Sequence, residues 1–377
     1  MAKIILSANT DWYLFNFRLA LARNIREEGA DVLMLSPPGP YVEKIREEGF
    51  QWTRIDIARE NVDPLEDFRT LLSFLHLYRR ERPDLVHNFT VKPVIYGSIA
   101  GRLAGVHATV SSVTGLGYPF VNPGRRAAVL RMLVLPLYRI ALTAPNSNVV
   151  FHNAADKEFF VKRRVVSEEA ALVIEGSGVD PEEFKPGPEP TGQPVVLMAS
   201  RMLWDKGVAE IIQAARILKA RGVSASIILA GDPDSGYPAS VPEIELRAWN
   251  QEGIVEWIGR RDDMPELMRQ AHIVVLPSYG EGLPRVLLEA SASGKAVVAT
   301  DIPGCRAVVR PGVTGLLVPA RDPHALADAL ENLIVDVELR RRMGKAGREM
   351  VEERFTQSLI NKRIISIYGE LLGGDLG

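Results

Sequence analysis

Short apolar runs alternate with amphipathic segments along the N-terminal half of the chain. Between residues 12 and 28, Leu14, Leu21 and Ile25 recur at the spacing of one helix face. The predicted strands are 2–8, 31–36, 51–57, 85–89 and 109–113, and the predicted helices are 12–28, 41–48, 64–80 and 93–104. This alternation predicts a parallel sheet with helices on both faces, as in Rossmann-like domains.

A proline-rich segment interrupts the pattern, which then starts again. Five prolines between residues 180 and 194 exclude a helix or a central strand there and predict a linker. The second set of predicted strands is 195–199, 226–230, 255–258, 273–277 and 296–300, with helices at 208–220, 264–270 and 284–293. We therefore predict two α/β domains that face a central cleft, where a ligand binds. The boundaries are an N-terminal domain at 1–180, a linker at 181–194, a C-terminal domain at 195–356, and a helical segment at 357–377 that packs back on the first domain.

Composition limits the class of protein. The chain has 377 residues, 46% of them hydrophobic and 24% charged, which is typical of a globular protein with more than one core. The net charge of −2 argues against a nucleic-acid partner. The single cysteine, Cys305, excludes an intramolecular disulfide. Neither a signal peptide nor an apolar run of spanning length is recognisable, so we expect a cytoplasmic protein.

Charge is distributed unevenly along the chain. No Asp or Glu occurs in the 71 residues from Leu85 to Ala155, where the average composition would place about nine. The cations of this run are Lys92, Arg102, Arg125, Arg126, Arg131 and Arg139. The depletion predicts a surface that meets anions, and the alternative is a run of buried elements that lack acids.

Within this run, residues 123–139 are basic at the start and strongly apolar afterwards. The segment is too short to span a bilayer, but it suits a helix that lies in the interface of an anionic membrane. Pro136 is expected to kink or end that helix. An ordinary core helix is the alternative interpretation.

The strongest chemical signal is the segment 278–290. An apolar strand ends at Pro277, a glycine loop follows, and a helix begins at Pro284. The backbone N–H groups around Leu283–Val286, together with the helix dipole, suit a phosphate, and the candidate binding residues are Gly282, Leu283, Pro284 and Arg285. Glu281 and Glu289 lie on either side of this anion site, where carboxylates would accept hydrogen bonds from sugar hydroxyls. For Glu289, a solvated helix residue is the alternative.

A second signal follows the strand 195–199. Arg201 and Lys206 come five residues apart at a strand's carboxyl end, where a guanidinium and an ammonium can neutralise a diphosphate leaving group. Such charge stabilisation helps to break a bond at an anomeric carbon. Two solvated surface charges are the alternative reading.

These segments resemble the retaining glycosyltransferases of family 4, which have the GT-B fold of two Rossmann-like domains. The spacing Glu281-x7-Glu289 and the group Arg201…Lys206-Gly207 match that family's motifs, and 230–233 and 312–318 are also similar. The resemblance implies that Arg201 and Lys206 bind a diphosphate, that Glu281 contacts the donor sugar and that Glu289 contacts the ribose.

The N-terminal half is similar to enzymes that extend undecaprenyl-diphosphate-linked sugars, related to the N-acetylgalactosaminyltransferase acting on lipid-linked diacetylbacillosamine. The segments 84–98 and 114–118 carry this similarity. The implied acceptor residues are Lys92, Thr114, Gly115 and Tyr118, with Lys92 pairing with the lipid diphosphate.

Two departures from the family pattern concern the N-terminal half. The first strand–helix loop lacks a Gly-Gly pair, and the 114–118 loop lacks a histidine. His87 is then the candidate histidine contact to donor or acceptor, with a hydrogen-bonded structural role as the alternative. Asp11 is a weaker candidate, and His107 and His152 are expected at the surface.

We therefore expect a retaining, metal-independent transfer of a sugar, such as an N-acetylhexosamine, from a UDP-sugar to an undecaprenyl-diphosphate-linked saccharide. No cofactor is expected, and the protein would be peripheral on the inner face of the plasma membrane. Asp232 and Asp234 form an Asp-x-Asp, but we expect no metal because Arg201 and Lys206 supply positive charge. The alternatives are a sugar-nucleotide epimerase and a non-catalytic sugar-nucleotide-binding protein.

Overall fold

The computed structural model describes residues 1–57, 63–117, 120, 124–234, 236–374 and 376, without the side chain of Arg126. The chain forms two compact units, Met1–Ser177 with Gln357–Gly377 and Gly178–Thr356. Within the described ranges, no helix has both the length and the apolar character needed to cross a membrane.

The first unit is built on a parallel seven-stranded sheet in the order β3-β2-β1-β4-β5-β6-β7. Its strands are β1 Lys3–Ser7, β2 Asp31–Ser36, β3 Gln51–Arg54, β4 Leu85–Phe89, β5 Ala108–Val113, β6 Ser147–Phe151 and β7 Ala171–Val173. Its helices are α1 Asp11–Glu27, α2 Val42–Glu47, α3 Pro64–Glu81, α4 Ser98–Ala104, α5 Arg125–Leu142, α6 Ala154–Lys162 and, at the chain end, α14 Gln357–Leu372. A π-helical turn, Pro93–Gly97, precedes α4.

The amphipathic pattern explains how these helices pack. Thr10 begins α1 by accepting a hydrogen bond from the Tyr13 N–H, as an N-cap residue does. The inner face of α1 joins a core cluster that also contains Ile364 and Tyr368 of α14. Asn361 of α14 donates to the side-chain oxygen of Asn24 at 2.8 Å. The C-terminal helix is therefore part of the first unit's core.

The second unit repeats the architecture with a parallel six-stranded sheet in the order β10-β9-β8-β11-β12-β13. The strands are β8 Val195–Ala199, β9 Ser226–Ala230, β10 Glu256–Gly259, β11 Ile273–Leu276, β12 Ala296–Thr300 and β13 Gly315–Val318. The helices are α7 Val208–Ala220, α8 Glu243–Gln251, α9 Met264–Gln270, α10 Arg285–Ala292, α11 Pro303–Arg306, α12 Pro323–Val335 and α13 Val337–Arg354, with a 3-10 turn at Trp204–Lys206.

The proline-rich segment 181–194, predicted as a linker, lies within the second unit. It contains no helix or strand, in keeping with its prolines. Phe184 is nonetheless buried in the second unit's core, and Glu189 forms an ion pair with Arg340 at 2.6 Å. The segment is therefore irregular in backbone but packed on the second unit, which buries its apolar side chain and pairs with its acidic one.

Candidate active site

Two loops of the second unit meet where its strand order reverses direction. The chain proceeds from β8 outward to β10 on one side and from β11 outward to β13 on the other, so β8 and β11 are neighbours at the switch point. The loop 200–207 follows β8, and the loop 277–284 follows β11. Because both strands are parallel, both loops lie at the same edge of the sheet, the edge where ligands of such sheets bind.

The two loops contact each other through their backbones. The N–H of Tyr279 donates to the carbonyl oxygen of Asp205 at 2.9 Å. Gly207 has φ +79°, and a Cβ added there would lie 2.2 Å from the carbonyl oxygen of Pro277. A glycine is therefore required directly after Lys206, because any side chain would force the loops apart.

Lys206 and Glu281 form an ion pair across the two loops, with 2.5 Å between Nζ and Oε1. Their side chains are 21% and 13% exposed, so the pair is partly shielded from water but still accessible to a ligand. An ammonium carries three donors and a carboxylate accepts several hydrogen bonds, so neither group is saturated by the other. The pair can offer N–H donors to an anion and oxygens to hydroxyl groups.

Arg201 lies at the same edge but pairs with a different carboxylate. Its Nη1 is 2.8 Å from Oδ2 of Asp234, and its guanidinium lies 5.3 Å from the ring centre of Tyr237. The side chain is 52% exposed, so it can reorient toward an anion without leaving a buried site. The structure thus brings Arg201, Lys206 and Glu281 to one edge of one sheet, as the sequence predicted.

The Asp232-Pro233-Asp234 sequence is engaged by protein groups. Oδ1 of Asp232 accepts the Arg260 N–H at 3.0 Å, and Asp234 holds Arg201. In the described part of the chain, no group of three or more His, Cys, Asp or Glu side chains could hold a metal ion.

The helix α10 after the glycine loop carries Glu289 in its second turn. Pro284 precedes the helix and provides no side-chain cap, which agrees with a helix start suited to an external anion. Arg285 donates from Nε to Oε1 of Glu289 at 2.9 Å, and both side chains are largely buried. Burial raises the pKa of Glu289, and the Arg285 guanidinium opposes that shift. Gly282 and Pro284 are buried, and Leu283 is half-buried.

A third contact to the glycine loop was not predicted from the sequence. A Cβ on Gly304, at the start of α11, would lie 2.3 Å from the carbonyl oxygen of Glu281 and 2.8 Å from that of Gly282. The neighbouring Cys305 is buried, and burial together with the Glu281 charge raises the pKa of its thiol. The only available sequence signal was a proline-glycine pair after a predicted strand, which many turns share.

The structure does not support His87 as a contact to donor or acceptor. His87 is fully buried on β4, with Nδ1 2.5 Å from the Tyr368 hydroxyl and Nε2 2.7 Å from Oγ of Ser112. Both ring nitrogens therefore have protein partners. Burial, with a smaller effect of the Arg18 charge, holds the pKa of His87 well below its usual value. This is the hydrogen-bonded structural role that was the alternative.

Two further histidines and Asp11 are also located. His107 is exposed as expected, but His152 is only 6% exposed, so its predicted surface position is wrong. Burial lowers the pKa of His152 to about 3, and Arg18 adds to the effect. Asp11 is buried and accepts the N–H groups of Trp12 and Tyr41, which gives this carboxylate a structural function at the start of α1.

The predicted acceptor residues follow β4 and β5 of the first unit. Lys92 pairs with Asp67 of α3 at 2.7 Å, with side chains 16% and 10% exposed, so binding of a diphosphate would compete with that carboxylate. Thr114 and Gly115 are half-buried directly after β5, with Gly115 at φ +148°. Tyr118 lies outside the described residues.

Two family models match the chain, one in each unit. Residues 179–350 match the model "Glycosyl transferases group 1", and residues 3–153 match the model "Glycosyl transferase 4-like". Together these ranges take in most of the sequence and include the whole edge that carries Arg201, Lys206, Glu281 and Glu289. The chain belongs to the glycosyltransferases of these families.

Individual relatives agree with this assignment. The glycosyltransferase is 25% identical to the N,N'-diacetylbacillosaminyl-diphospho-undecaprenol alpha-1,3-N-acetylgalactosaminyltransferase of Campylobacter jejuni, over 95% of this chain and 96% of the relative. It is 26% identical to the UDP-Gal:alpha-D-GlcNAc-diphosphoundecaprenol alpha-1,3-galactosyltransferase of Escherichia coli, over 73% of each. The structure of Anabaena HepE in complex with UDP and glucose matches with a TM-score of 0.79 at 19% identity, covering 98% of this chain and 99% of HepE. The predicted GT-B fold class is thereby confirmed.

Proposed function

We propose that this glycosyltransferase moves a sugar, an N-acetylhexosamine, from a UDP-sugar to an undecaprenyl-diphosphate-linked saccharide. The relatives from Campylobacter jejuni and Escherichia coli carry diphospho-undecaprenol acceptors in their names, and the former is an N-acetylgalactosaminyltransferase. HepE, which shares the fold, binds UDP and glucose. These names motivate the substrate classes that the proposal assigns to this chain.

The observation that carries the proposal is the Lys206–Glu281 pair beside Arg201 at the switch point of the second sheet. Two cations there can neutralise the charge that develops on a departing UDP, and this is the electrostatic help that cleavage at an anomeric carbon needs. Glu281 is held by Lys206 in a position to accept hydrogen bonds from sugar hydroxyls. Glu289, in the second turn of α10, is proposed to accept hydrogen bonds from the ribose hydroxyls.

We further propose that the transfer retains anomeric configuration and needs no metal ion. The acceptor hydroxyl would attack from the face that UDP leaves, and the leaving-group oxygen would take up the proton. Retention follows from the family resemblance. Metal independence is motivated by Arg201 and Lys206, which supply the charge that a divalent ion would otherwise supply.

We assign the proposed membrane contact to helix α5. Its inner side chains, Tyr138 and Ala141 among them, are 2% exposed and pack in the first unit. The outer side chains Val129, Met132, Leu133 and Ile140 are between 53% and 68% exposed. The spacing of these positions forms one stripe, and exposed Arg125 and Arg139 lie on the same helix, inside the stretch that lacks acids. We propose that this stripe rests on the anionic cytoplasmic leaflet, which would bring the enzyme to a lipid-linked acceptor.

The test is a transfer assay with a panel of UDP-sugars, each with and without an undecaprenyl-diphosphate-linked saccharide, in the presence of EDTA. We expect UDP release that depends on the acceptor. In Lys206→Ala we expect kcat to fall roughly 100- to 1,000-fold, the scale on which a lost electrostatic contact acts. The control is Arg216→Ala, which should leave turnover unchanged, since Arg216 of α7 makes an exposed ion pair with Glu252.

Each alternative function has its own outcome in this assay. A sugar-nucleotide epimerase would turn over a UDP-sugar without acceptor, and a binding protein would retain UDP-sugars without turnover. Either result would overturn the transferase reaction proposed here. Unchanged turnover in Lys206→Ala would instead refute the site while leaving the reaction intact.

A further inference from the structure

Tyr279 lies in the glycine loop 277–284, two residues before Glu281. The phenol hydroxyl donates to Oε1 of Glu210 at 2.6 Å. Glu210 is in the first turn of α7, the helix that begins directly after Lys206 and Gly207. One hydrogen bond thus connects the loop that carries Glu281 to the helix that follows Lys206.

Glu210 depends on this contact. Its other oxygen, Oε2, is buried and has no hydrogen-bond partner among the described residues. A carboxylate that is removed from water requires hydrogen-bond donors. Loss of the Tyr279 hydroxyl would therefore leave Glu210 with one donor fewer. Burial and the hydrogen bond to Glu210 both raise the pKa of Tyr279, which keeps the phenol in the protonated, donating form.

Three further contacts hold the Tyr279 ring and the residue before it in place. The Arg321 guanidinium lies over the ring at 4.5 Å from its centre, and Arg321 has φ +63°, an unusual backbone conformation for a side chain of this size. On the preceding residue, Ser278 Oγ donates to the Asp205 carbonyl oxygen at 3.2 Å, and its own carbonyl oxygen accepts from the Thr300 hydroxyl. Tyr279 is therefore held through its hydroxyl, through its ring and through the backbone of the preceding residue.

We propose that Tyr279 and Glu210 are positioning residues that set the location of the Glu281 carboxylate relative to Lys206. The inference rests on the proposed function, since it assigns a purpose to the geometry of the donor site. A single residue, Gly280, separates the anchored Tyr279 from Glu281, and glycine offers little conformational restraint of its own. The phenol anchor supplies the restraint that Gly280 lacks.

The experiment compares Tyr279→Phe with the unchanged enzyme in two readouts. The first is steady-state kinetics with the UDP-sugar, and the second is hydrogen–deuterium exchange of the segment 277–283. We expect kcat to fall roughly 10- to 100-fold, because misplacement of a reacting group by about 1 Å acts on that scale. The KM for the donor should change less than about threefold, since Arg201 and α10 remain intact. Exchange in 277–283 should increase, with the rest of the second unit unchanged.

Tyr78→Phe is the matched control. It also deletes a hydrogen-bonded phenol hydroxyl, which donates to Oδ1 of Asn88 at 3.1 Å in the buried interior of the first unit. It should lower the unfolding temperature as much as Tyr279→Phe does, without lowering kcat.

A second comparison uses Glu210→Ala and Glu210→Gln. We expect the glutamine variant, whose amide oxygen still accepts the phenol hydrogen bond, to retain more of kcat than the alanine variant. Tyr279→Phe should have no additional effect in the Glu210→Ala background.

Several results would overturn the inference. These are a kcat of Tyr279→Phe within twofold of the unchanged enzyme, an equal loss in Tyr78→Phe, or unaltered exchange in 277–283. Failure of the proposed function would look different, since the unchanged enzyme would then transfer no sugar. The exchange measurement still decides in that case whether Tyr279 and Glu210 anchor the loop.

Discussion

At the scale of single residues, Gly304 limits where the backbone of Glu281 can lie. A methyl group at this position would meet two carbonyl oxygens of the glycine loop at 2.3 and 2.8 Å, closer than real contacts allow. Backbone atoms cannot rotate away as a long side chain can, so Gly304→Ala must displace the loop. We predict a loss of kcat of roughly 10-fold or more, because the displaced group is Glu281.

The matched change is Gly187→Ala in the same unit. A Cβ on Gly187 would be 3.5 Å from the flexible side chain of Arg269, an ordinary contact. It should leave kcat unchanged and should leave stability equal or slightly greater, because alanine restricts the unfolded chain. If Gly304→Ala retained full turnover while folded, Gly304 would have no part in setting the site.

The sequence predicted the positions of three candidate site residues at the carboxyl ends of strands, where the structure also places them. Arg201, Lys206 and Glu281 each follow an apolar run that is buried on both faces, so the strand ends were readable and the charged residues after them stood out. Tyr279 and Glu210 could not be predicted, because their pairing depends on the packing of α7 beside the loop. His87 also lies on a predicted strand near its end. Its structural role follows from the burial of β4 and from the hydrogen bond to Tyr368, which is distant in sequence.

At the scale of elements, α5 has one face in the core of the first unit and another face that exposes apolar side chains. We predict that Met132→Ser with Leu133→Ser lowers binding to vesicles of anionic phospholipid about 10-fold or more, since each fully buried apolar side chain contributes roughly 1.5–3 kcal/mol. Sedimentation with phosphatidylglycerol vesicles measures the effect. The control is Ile244→Ser on α8, where a 77% exposed isoleucine lies in the second unit. Equal vesicle binding by the double variant and the unchanged protein would refute the proposed membrane contact.

Helix α5 also shows where element prediction falls short. Pro136 was expected to kink or end the helix, and the structure contradicts the second outcome, because α5 continues from Arg125 to Leu142 with Pro136 inside it. A proline removes one hydrogen bond and adds a clash, a cost that the packing of Tyr138, Ala141 and Leu142 in the core offsets. The predicted bounds of α7 and α9 agree with the structure, and the predicted C-terminal helical segment 357–377 contains α14. Short strands such as β7 and β13 were missed, because three or four apolar residues carry no readable period.

At the scale of the whole molecule, chain order and structural unit do not coincide. The chain leaves the first unit after Ser177, builds the second unit, and returns with α14. The sequence alone could not identify the partner of this helix. An amphipathic pattern indicates that one face is buried, but it does not indicate which unit covers that face. In the structure, the first unit covers it, because the core that contains residues of β1 and β4 also buries Ile360, Ile364 and Tyr368.

Deletion of residues 357–377 should therefore unfold the first unit and spare the second. The truncated chain loses Ile360, Ile364, Ile367 and Tyr368, which are 6% exposed or less. Each large buried side chain contributes roughly 2–5 kcal/mol, so the sum reaches the whole stability of an ordinary domain, about 5–15 kcal/mol. Hydrogen–deuterium exchange resolved by peptide measures this, with protection lost in 1–177 and kept in 195–350. Leu359→Ala, on the outer face of the same helix at 37% exposed, should change neither range. Undiminished protection of 1–177 in the truncated chain would mean that the first unit folds without its C-terminal helix.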